Sequence, residues 1–129
     1  VFEKTKKTYE NEGRKFEHTD PIEFGTMIQK WNVDFLLEGP VIAFVLIGPS
    51  AVEITRKLVG HTEPKQAAPG TIRGDFAMVE SYAVANTKQR VLRNLVHASD
   101  SQESAKREID LWFRKEELYN YNKELDKHF

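Results

Sequence analysis

His97 and Glu108 are the two residues of this chain whose types and positions best suit covalent chemistry. His97 closes an apolar segment and directly precedes a stretch of helix-capping residues, Ser99–Glu103. A ring in that place faces a helix N-terminus, where main-chain N–H groups favour anions. His97 could therefore accept or transfer a phosphoryl group. The alternative is a histidine that serves only in the core or as a cap.

Glu108 falls on the inward side of the helix predicted after His97. It lies three residues after Ala105 and four before Trp112, so the three share one helix face. A carboxylate that bonds one ring nitrogen of the histidine fixes the tautomer and leaves the other nitrogen as a nucleophile. The alternative is a partly exposed acid paired with a neighbouring Lys or Arg.

Three further polar residues, Arg56, Thr62 and Arg73, bracket a Pro-rich loop over residues 61–71. Two guanidinium groups and a hydroxyl could converge on a polyphosphate, because the planar fork of arginine matches phosphate oxygens. Ordinary surface charge is the alternative for both arginines. Asn94 can donate and accept, which suits a sugar hydroxyl, although a turn or strand-edge amide fits equally.

The composition narrows the class of protein that carries these residues. The chain has 129 residues, 40% of them hydrophobic and 30% charged, and its 19 Lys+Arg against 20 Asp+Glu give a net charge of -1. A charge balance this close to neutral provides no long-range electrostatic field that would attract nucleic acid or an anionic membrane. The absence of cysteine excludes thiolate chemistry and disulfides. With no signal peptide in the first residues and no long apolar run, we expect a cytoplasmic protein without membrane or nucleic-acid partners.

The elements that position the candidate residues begin with a charged helix or arm over residues 1–19, followed by one domain over residues 20–129. Asp20-Pro21 marks a helix start, with Asp as the N-cap and Pro at the first position. The helix should run to about Leu37. Its core face is an apolar stripe at helical spacing: Phe24, Ile28, Trp31 and Phe35.

Beyond Gly39-Pro40 the pattern alternates between strands and helices. Residues 41–47 predict a strand buried on both faces, and Ser50 with Glu53 predicts a capping box for a helix that stops at Gly60. We expect strands at 76–79 and 91–96, then a helix over about 99–112. A short helix and a tail complete an α/β domain.

Three motifs give a resemblance to a known family. Asn94–Ser101 reads Asn-Leu-Val-His-Ala-Ser-Asp-Ser, which resembles the Asn-x-x-His-Gly/Ala-Ser-Asp-Ser signature of nucleoside diphosphate kinases. Pro69–Phe76 and Gly39–Val41 are similar to two more motifs of that family, in the family's order. The resemblance covers about residues 20–121, and the charged segment before it and the polar stretch 86–89 are similar to insertions of its archaeal-type branch.

The resemblance implies a ferredoxin-like α/β (α+β) fold, in which helices flank an antiparallel sheet, and a phosphotransfer reaction. A γ-phosphoryl group would pass from a nucleoside triphosphate to a nucleoside diphosphate by a ping-pong mechanism through phosphohistidine. A homo-oligomer, hexamer or tetramer, is also implied. The resemblance assigns a role to each of these positions: His97 as nucleophile, Glu108 as its orienting carboxylate, Arg56, Thr62 and Arg73 on phosphate, Asn94 on the ribose 3′-hydroxyl and Asp100 on Mg²⁺.

The chain departs from the family pattern in two places. It contains no Lys-Pro-Asp, so the family's first strand, helix and second strand are missing, and the remaining sheet should expose two unpaired edges. Ile28 falls at the position of the aromatic that packs on the nucleobase, with Trp31 one turn away. A catalytically impaired nucleotide-binding or interaction module is therefore the alternative function. An RNA-binding ferredoxin-like domain is disfavoured, because its aromatic strand motif is absent.

Overall fold

The computed structural model describes residues 2–11, 13, 15–119 and 121. They fall into two compact units, one formed by residues up to 41 with 83–91, the other by residues 42–82 with those from 92 onward. Two 3₁₀ turns, Pro64–Gln66 and Lys115–Glu117, accompany the helices. The helices are α1 Phe2–Asn11, α2 Pro21–Leu36, α3 Ala51–Val59, α4 Ile72–Phe76, α5 Tyr82–Thr87 and α6 Gln102–Trp112.

Helix α2 confirms the start predicted at Asp20. The Asp20 carboxylate accepts from the main-chain N–H of Ile22 at 2.8 Å, and Pro21 occupies the first turn. Phe24 is buried with 5% of its surface exposed, and the other members of the apolar stripe are half-buried. The predicted stripe is therefore the least exposed face of the helix.

Aromatic rings join α1 to α2 in the first unit. Phe2 and Phe16 each meet Phe24 edge-on, with ring centroids 5.6 and 5.4 Å apart, and Tyr9 and His18 complete the cluster. Edge-to-face pairs at such separations add to the energy of area burial. Residues 2–11 of this segment, predicted as a charged helix or arm, are helical, and the aromatic side chains pack the helix against α2.

Helix α3 forms where the sequence predicts it, but the expected capping box does not. Ser50 has a φ of +50° and its side chain makes no cap hydrogen bond, while Glu53 pairs with Lys57 at 2.9 Å. An N-cap residue normally has an extended backbone, whereas that of Ser50 is left-handed. Gly60 ends the helix at a φ of +88°, and a Cβ there would lie 2.5 Å from the Thr71 hydroxyl, so glycine is required.

The strand predicted at 76–79 is wrong, because Phe76 ends helix α4 and a turn follows. Thr71 caps that helix by accepting from Gly74 N–H at 3.1 Å and donates to the Ala68 carbonyl at 2.6 Å. After the helix, Glu80 N–H donates to the Ala77 carbonyl at 2.8 Å, which closes a turn. The helix that Thr71 caps extends to Phe76, so the apolar residues 76–79 do not follow their preference for a strand.

The described residues contain no β-strand, so the predicted antiparallel sheet is not formed among them. Residues 42–47, predicted as a strand buried on both faces, have no regular structure and expose most of their apolar surface, 88% for Ile42 and 68% for Phe44. The segment predicted as a strand at 91–96 contains tight turns instead. A strand is stabilised by hydrogen bonds to a neighbour, and these segments have no such neighbour in the described chain.

The last helix and the residues after it follow the prediction. Ser101 caps α6 by accepting from Ser104 N–H at 3.0 Å, and the turn Lys115–Glu117 lies where a short helix was expected. The predicted tail beyond residue 121 lies outside the described residues. Within the described ranges, no helix has the length and apolar character that crossing a membrane would need.

Candidate active site

His97 lies at the end of the segment that precedes α6, and its ring bonds to a carboxylate on that helix. Its Nε2 is 2.9 Å from Glu108 Oε2, and the Ser99 hydroxyl donates to the same oxygen at 2.7 Å. The His97 side chain is 77% exposed and that of Glu108 only 25%. The predicted pair is therefore brought together, with the ring open to solvent and the carboxylate half-buried behind it.

The charge state of Glu108 fixes the tautomer of His97. The Ser99 hydroxyl, and after it the His97 ring, lowers the pKa of Glu108 from its usual value, so the carboxylate is ionised and can only accept. Nε2 must then carry the proton and donate it to Glu108. Nδ1 keeps its lone pair, which makes it the nucleophilic nitrogen of the ring.

Arg73 is buried, with 8% of its surface exposed, and its guanidinium is directed at the main chain. It donates to the carbonyl oxygens of Gly60 at 3.0 Å, Asn94 at 3.3 Å and Val96 at 2.7 Å. Burial, followed by the nearby charge of Arg56, lowers the pKa of Arg73. The two predicted arginines thus lie in one neighbourhood, but only Arg56 is exposed.

Arg56 and Asp100 both line an open groove of about 950 Å³ in the second unit. Arg56 Nη1 donates to the Ala98 carbonyl at 3.5 Å. Hydrogen bonds from Ser104 and Ser101, together with Arg56, lower the pKa of Asp100. Neither His97 nor Arg73 lines this groove; the lining residues are Gly48, Ser50, Ala51, Val52, Glu53, Arg56, Lys57, Gly60, His61, Gln66, Ala68, Thr71, Asp100 and Gln102.

The surroundings of Asp100 fit a magnesium ion only if other ligands come from the substrate. Within the described ranges, no three His, Asp or Glu side chains are close enough to hold a metal together. Magnesium is commonly bound by one or two carboxylates with the remaining positions filled by substrate phosphates and water. An ionised, exposed Asp100 beside Arg56 supplies one such carboxylate at the groove.

The remaining predicted contacts fall in two places. The side-chain NH₂ of Asn94 donates to the main-chain carbonyl of Thr62 at 3.2 Å, which ties the loop after α3 to the segment before His97. Ile28, predicted at the nucleobase, is half-buried on α2 in the first unit, as is Trp31. Their roles stay predictions.

Sequence reasoning missed two features of the site. Leu95 has a φ of +68°, which a leucine gives no reason to expect. Glu63 is buried, accepts from Tyr82 N–H at 2.9 Å and also bonds the Gln66 amide, so it holds the loop before α4. The Pro64 that follows it could have signalled a fixed loop, whereas no local pattern marks the conformation of Leu95.

Comparison with known proteins shows the family of this chain. The family model described as nucleoside diphosphate kinase matches residues 14–118. The chain belongs to the nucleoside diphosphate kinase family. The membership predicted from the three motifs is thereby confirmed, and all three motifs lie inside the matched range.

Curated relatives and solved structures of the family agree. The chain is 52% identical over 99 residues to a nucleoside diphosphate kinase of Pyrobaculum aerophilum and 49% identical over 94 residues to one of Pyrococcus horikoshii, covering 77% and 73% of this chain. It covers 54% and 55% of those proteins, so it spans about half the length of the curated relatives it matches.

Two solved structures of the family show the same fold. A crystal structure of an NDP kinase from Pyrobaculum aerophilum matches with a TM-score of 0.82 at 45% identity, over 92% of this chain and 66% of that one. A nucleoside-diphosphate kinase from Borrelia burgdorferi, a transition-state mimic with bound vanadate and ADP, matches with 0.59 at 43% identity, over 63% and 48% of the two chains. The chain therefore has a nucleoside diphosphate kinase fold.

Proposed function

We propose that this chain carries the phosphoryl-transfer site of a nucleoside diphosphate kinase, with His97 as the temporary carrier of the phosphoryl group. The observation that carries the proposal is the bond from His97 Nε2 to Glu108 Oε2 at 2.9 Å, because it leaves Nδ1 as an oriented nucleophile on an exposed ring. The bound vanadate and ADP in the Borrelia burgdorferi relative support phosphotransfer chemistry.

The reaction divides into two displacements at one nitrogen. In the first, the Nδ1 lone pair attacks the γ-phosphorus of a nucleoside triphosphate, and the bond to the β-phosphate oxygen breaks with its electron pair, which releases a nucleoside diphosphate. In the second, a β-phosphate oxygen of another nucleoside diphosphate attacks the phosphorus, and the N–P bond breaks. Throughout both steps Nε2–H stays bonded to Glu108, which stabilises the positive charge on the ring.

Substrate binding in this proposal uses the groove and its rim. Arg56 supplies a guanidinium at the groove for phosphate oxygens, and Thr62 supplies an exposed hydroxyl on the loop that Asn94 bonds. Asn94 would bond the ribose 3′-hydroxyl, and Ile28 would contact the base. Arg73, whose charge interacts with that of Arg56 and whose guanidinium bonds the Val96 carbonyl, would also contribute to phosphate binding.

Asp100, together with the nucleotide phosphates, would hold Mg²⁺, which when bound neutralises charge on the transferring group. Hydrogen bonds from Ser104 and Ser101 lower the pKa of Asp100, which favours the ionised form that a cation needs.

The exposed apolar segment 42–47 supports a further part of the proposal. A strand–helix–strand unit bearing Lys-Pro-Asp would pair with it and complete the antiparallel sheet, and the difference in length from the curated relatives leaves room for such a unit. Without that lysine, the alternative is a module that binds nucleotides or a partner but does not turn over. A homo-oligomer and a cytoplasmic location remain predictions.

Labelling with γ-³²P-ATP tests the proposal. Incubated with the chain, the label should become bound in an acid-labile, base-stable form, as expected of phosphohistidine, and should then transfer to added GDP. His97→Ala should remove the label entirely, because the proposed reaction carries the phosphoryl group on that ring alone. The matched control is His18→Ala, which removes an exposed histidine of the first unit and should leave labelling intact.

Two results would contradict the proposal in different ways. Label that persists in His97→Ala would place the chemistry elsewhere. Label that forms on His97 but does not transfer to GDP would favour the module that cannot turn over.

A further inference from the structure

His61 begins the loop that follows α3, and its ring bonds to the main chain two residues ahead. Glu63 N–H donates to His61 Nδ1 at 3.1 Å, in the manner of turns in which an Asn or Asp side chain bonds the main chain two residues on. The Glu63 side chain is buried and accepts from Tyr82 N–H at 2.9 Å. The residue that the ring bonds is therefore itself held in place, which fixes the position of Nδ1.

This bond determines the tautomer of His61. A ring nitrogen that accepts from an N–H must present its lone pair, so the proton of the neutral ring is on Nε2. The Glu63 carbonyl oxygen lies farther from Nδ1, at 3.3 Å, and only a proton on Nδ1 could bond it. The shorter bond leaves Nε2–H as a donor, and none of the described residues accepts from it.

His61 belongs to the lining of the open groove. It is exposed and lines the groove together with Arg56 and Lys57 of α3. Lys57 pairs with Glu53 at 2.9 Å, so its charge is already partly compensated. Two donors are then offered to an anion in the groove, the guanidinium of Arg56 and the Nε2–H of His61.

We infer that His61 is a further nucleotide-binding residue, whose Nε2–H donates to a phosphate oxygen outside the transferred group. The inference rests on the proposed function, since it concerns the same nucleotide. His97 does not line the groove, so the groove suits the phosphates that remain on the nucleotide when the γ-phosphoryl group leaves. A nucleoside diphosphate and a nucleoside triphosphate share those phosphates. His61 should therefore strengthen the binding of both equally.

Two substitutions separate the donor from the turn, because their amides imitate different nitrogens of the ring. His61→Asn has a short amide whose oxygen lies near the place of Nδ1, so it keeps an acceptor for Glu63 N–H and lacks the Nε2–H donor. His61→Gln reaches farther and has an NH₂ near the place of Nε2, so it keeps the donor and loses the acceptor.

The dissociation constants of ADP and ATP are the quantities to measure, by calorimetry. His61→Asn should raise both by about tenfold, because one hydrogen bond to a charged phosphate is lost. His61→Gln should raise both by less than about threefold, since a neutral amide still donates. His18→Asn, which changes an exposed histidine of the first unit, is the matched control and should have no effect on either constant.

Two binding results would overturn the inference. A greater loss of affinity in His61→Gln than in His61→Asn would show that His61 serves the turn alone. A loss confined to ATP would place the contact on the transferred phosphate.

A long-range proton–nitrogen correlation spectrum of the unaltered protein needs no variant to fold. The neutral His61 ring should carry its proton on Nε2, and the Nε2 signal should move when ADP is added. A proton on Nδ1, or an Nε2 signal that ADP does not move, would also overturn the inference.

Failure of the inference and failure of the proposed function give different results. If ATP labels His97 but His61→Asn and His61→Gln bind ADP alike, the inference fails and the proposed function stands. If His61→Asn alone binds ADP weakly and ATP gives no label, the proposed function fails while His61 remains a nucleotide-binding residue.

Discussion

The loops around His97 and the apolar segment 42–47 lie in the same compact unit but are stabilised in opposite ways. The loops are held by side chains that bond the main chain, through Arg73, Thr71 and Glu63. The segment has strongly apolar side chains, yet Ile42 is 88% and Ile47 81% exposed. Polar bonds between residues of this chain determine the first region, whereas the second pairs with no strand among the described residues.

This difference shows which sequence signals are sufficient to form structure without a sheet. A capped helix, or an arginine that donates to carbonyl oxygens, needs only partners within reach, so each forms even though the described residues form no sheet. An apolar strand is stabilised by neighbours on both edges and by cover on its faces. The changes below test that contrast, beginning with the largest expected effect.

Gly74→Ala should have the largest effect on the loop region, lowering the free energy of unfolding by about 3 kcal/mol. A Cβ at this position would overlap the Ala68 carbonyl oxygen and lie 2.9 Å from Thr71 Oγ1. Gly25→Ala is the matched control, because nothing lies within 4 Å of its Cβ, and it should stabilise α2 by about 0.5–1 kcal/mol. Urea unfolding measures both; equal effects would mean that the loop is not closely packed.

Glu108→Ala should slow His97 labelling by roughly 10–100-fold while nucleotide affinity stays nearly constant, because the carboxylate orients the ring and contacts no substrate. Asp110→Ala, an exposed carboxylate of the same helix, is the control and should have little effect. Single-turnover labelling and equilibrium binding measure the two quantities. Equal losses in rate and affinity would count against an orienting role.

Ser99→Ala should raise the pKa of Glu108 toward its ordinary value, since the Ser99 hydroxyl is the main cause of the lowered one. A lowered pKa stabilises the fold above the unfolded carboxyl pKa, and that contribution is lost as pH falls through the folded value. The variant should therefore lose about 1 kcal/mol near neutral pH and much less in acid.

Urea unfolding across pH measures this difference, and Ser99→Thr, which keeps a hydroxyl, should behave more like the unaltered protein. A loss that is the same at neutral and acidic pH would show that Ser99 acts by packing and not through the carboxylate.

Ile42→Ser should have the smallest effect, within about 0.5 kcal/mol of the unaltered 129-residue chain, because the side chain is already exposed. In a longer protein that supplies the missing strands, the same change should cost about 1.5–3 kcal/mol. Denaturant unfolding of both chain lengths makes the comparison. A large cost in the short chain would show that the segment is buried without a partner strand.

The sequence was sufficient for helices α2, α3 and α6 and for the central pair of the site, whereas it did not predict α4 or α5. Asp20 and Ser101 cap helices where predicted, and the spacing of His97 and Glu108 brings the ring and the carboxylate together. These features depend on residues that are close in the chain, or on one helix face. Short-range interactions are therefore sufficient to form the caps and the His97–Glu108 pair.

The features that the sequence did not predict depend on distant partners. β-Branched residues predict a strand at 41–47 because they favour a pleated surface that is covered by neighbours. They do not themselves supply those neighbours. The Arg73 guanidinium donates to the carbonyl oxygens on either side of Leu95, so its contacts depend on the turn there. A leucine in the sequence gives no indication of a positive φ. Ser50 matches a capping box, but its own backbone conformation prevents it.

The bond between His97 Nε2 and Glu108 has a consequence for the chemical identity of the intermediate. Histidine can be phosphorylated on either nitrogen, and the two products are isomers that differ in phosphorus chemical shift and in recognition by isomer-selective antibodies. With Nε2 engaged by the carboxylate, only the isomer bearing phosphorus on the nitrogen nearer the main chain should form. If the proposed reaction occurs, regiochemistry is thus decided by a side chain that bonds the other ring nitrogen.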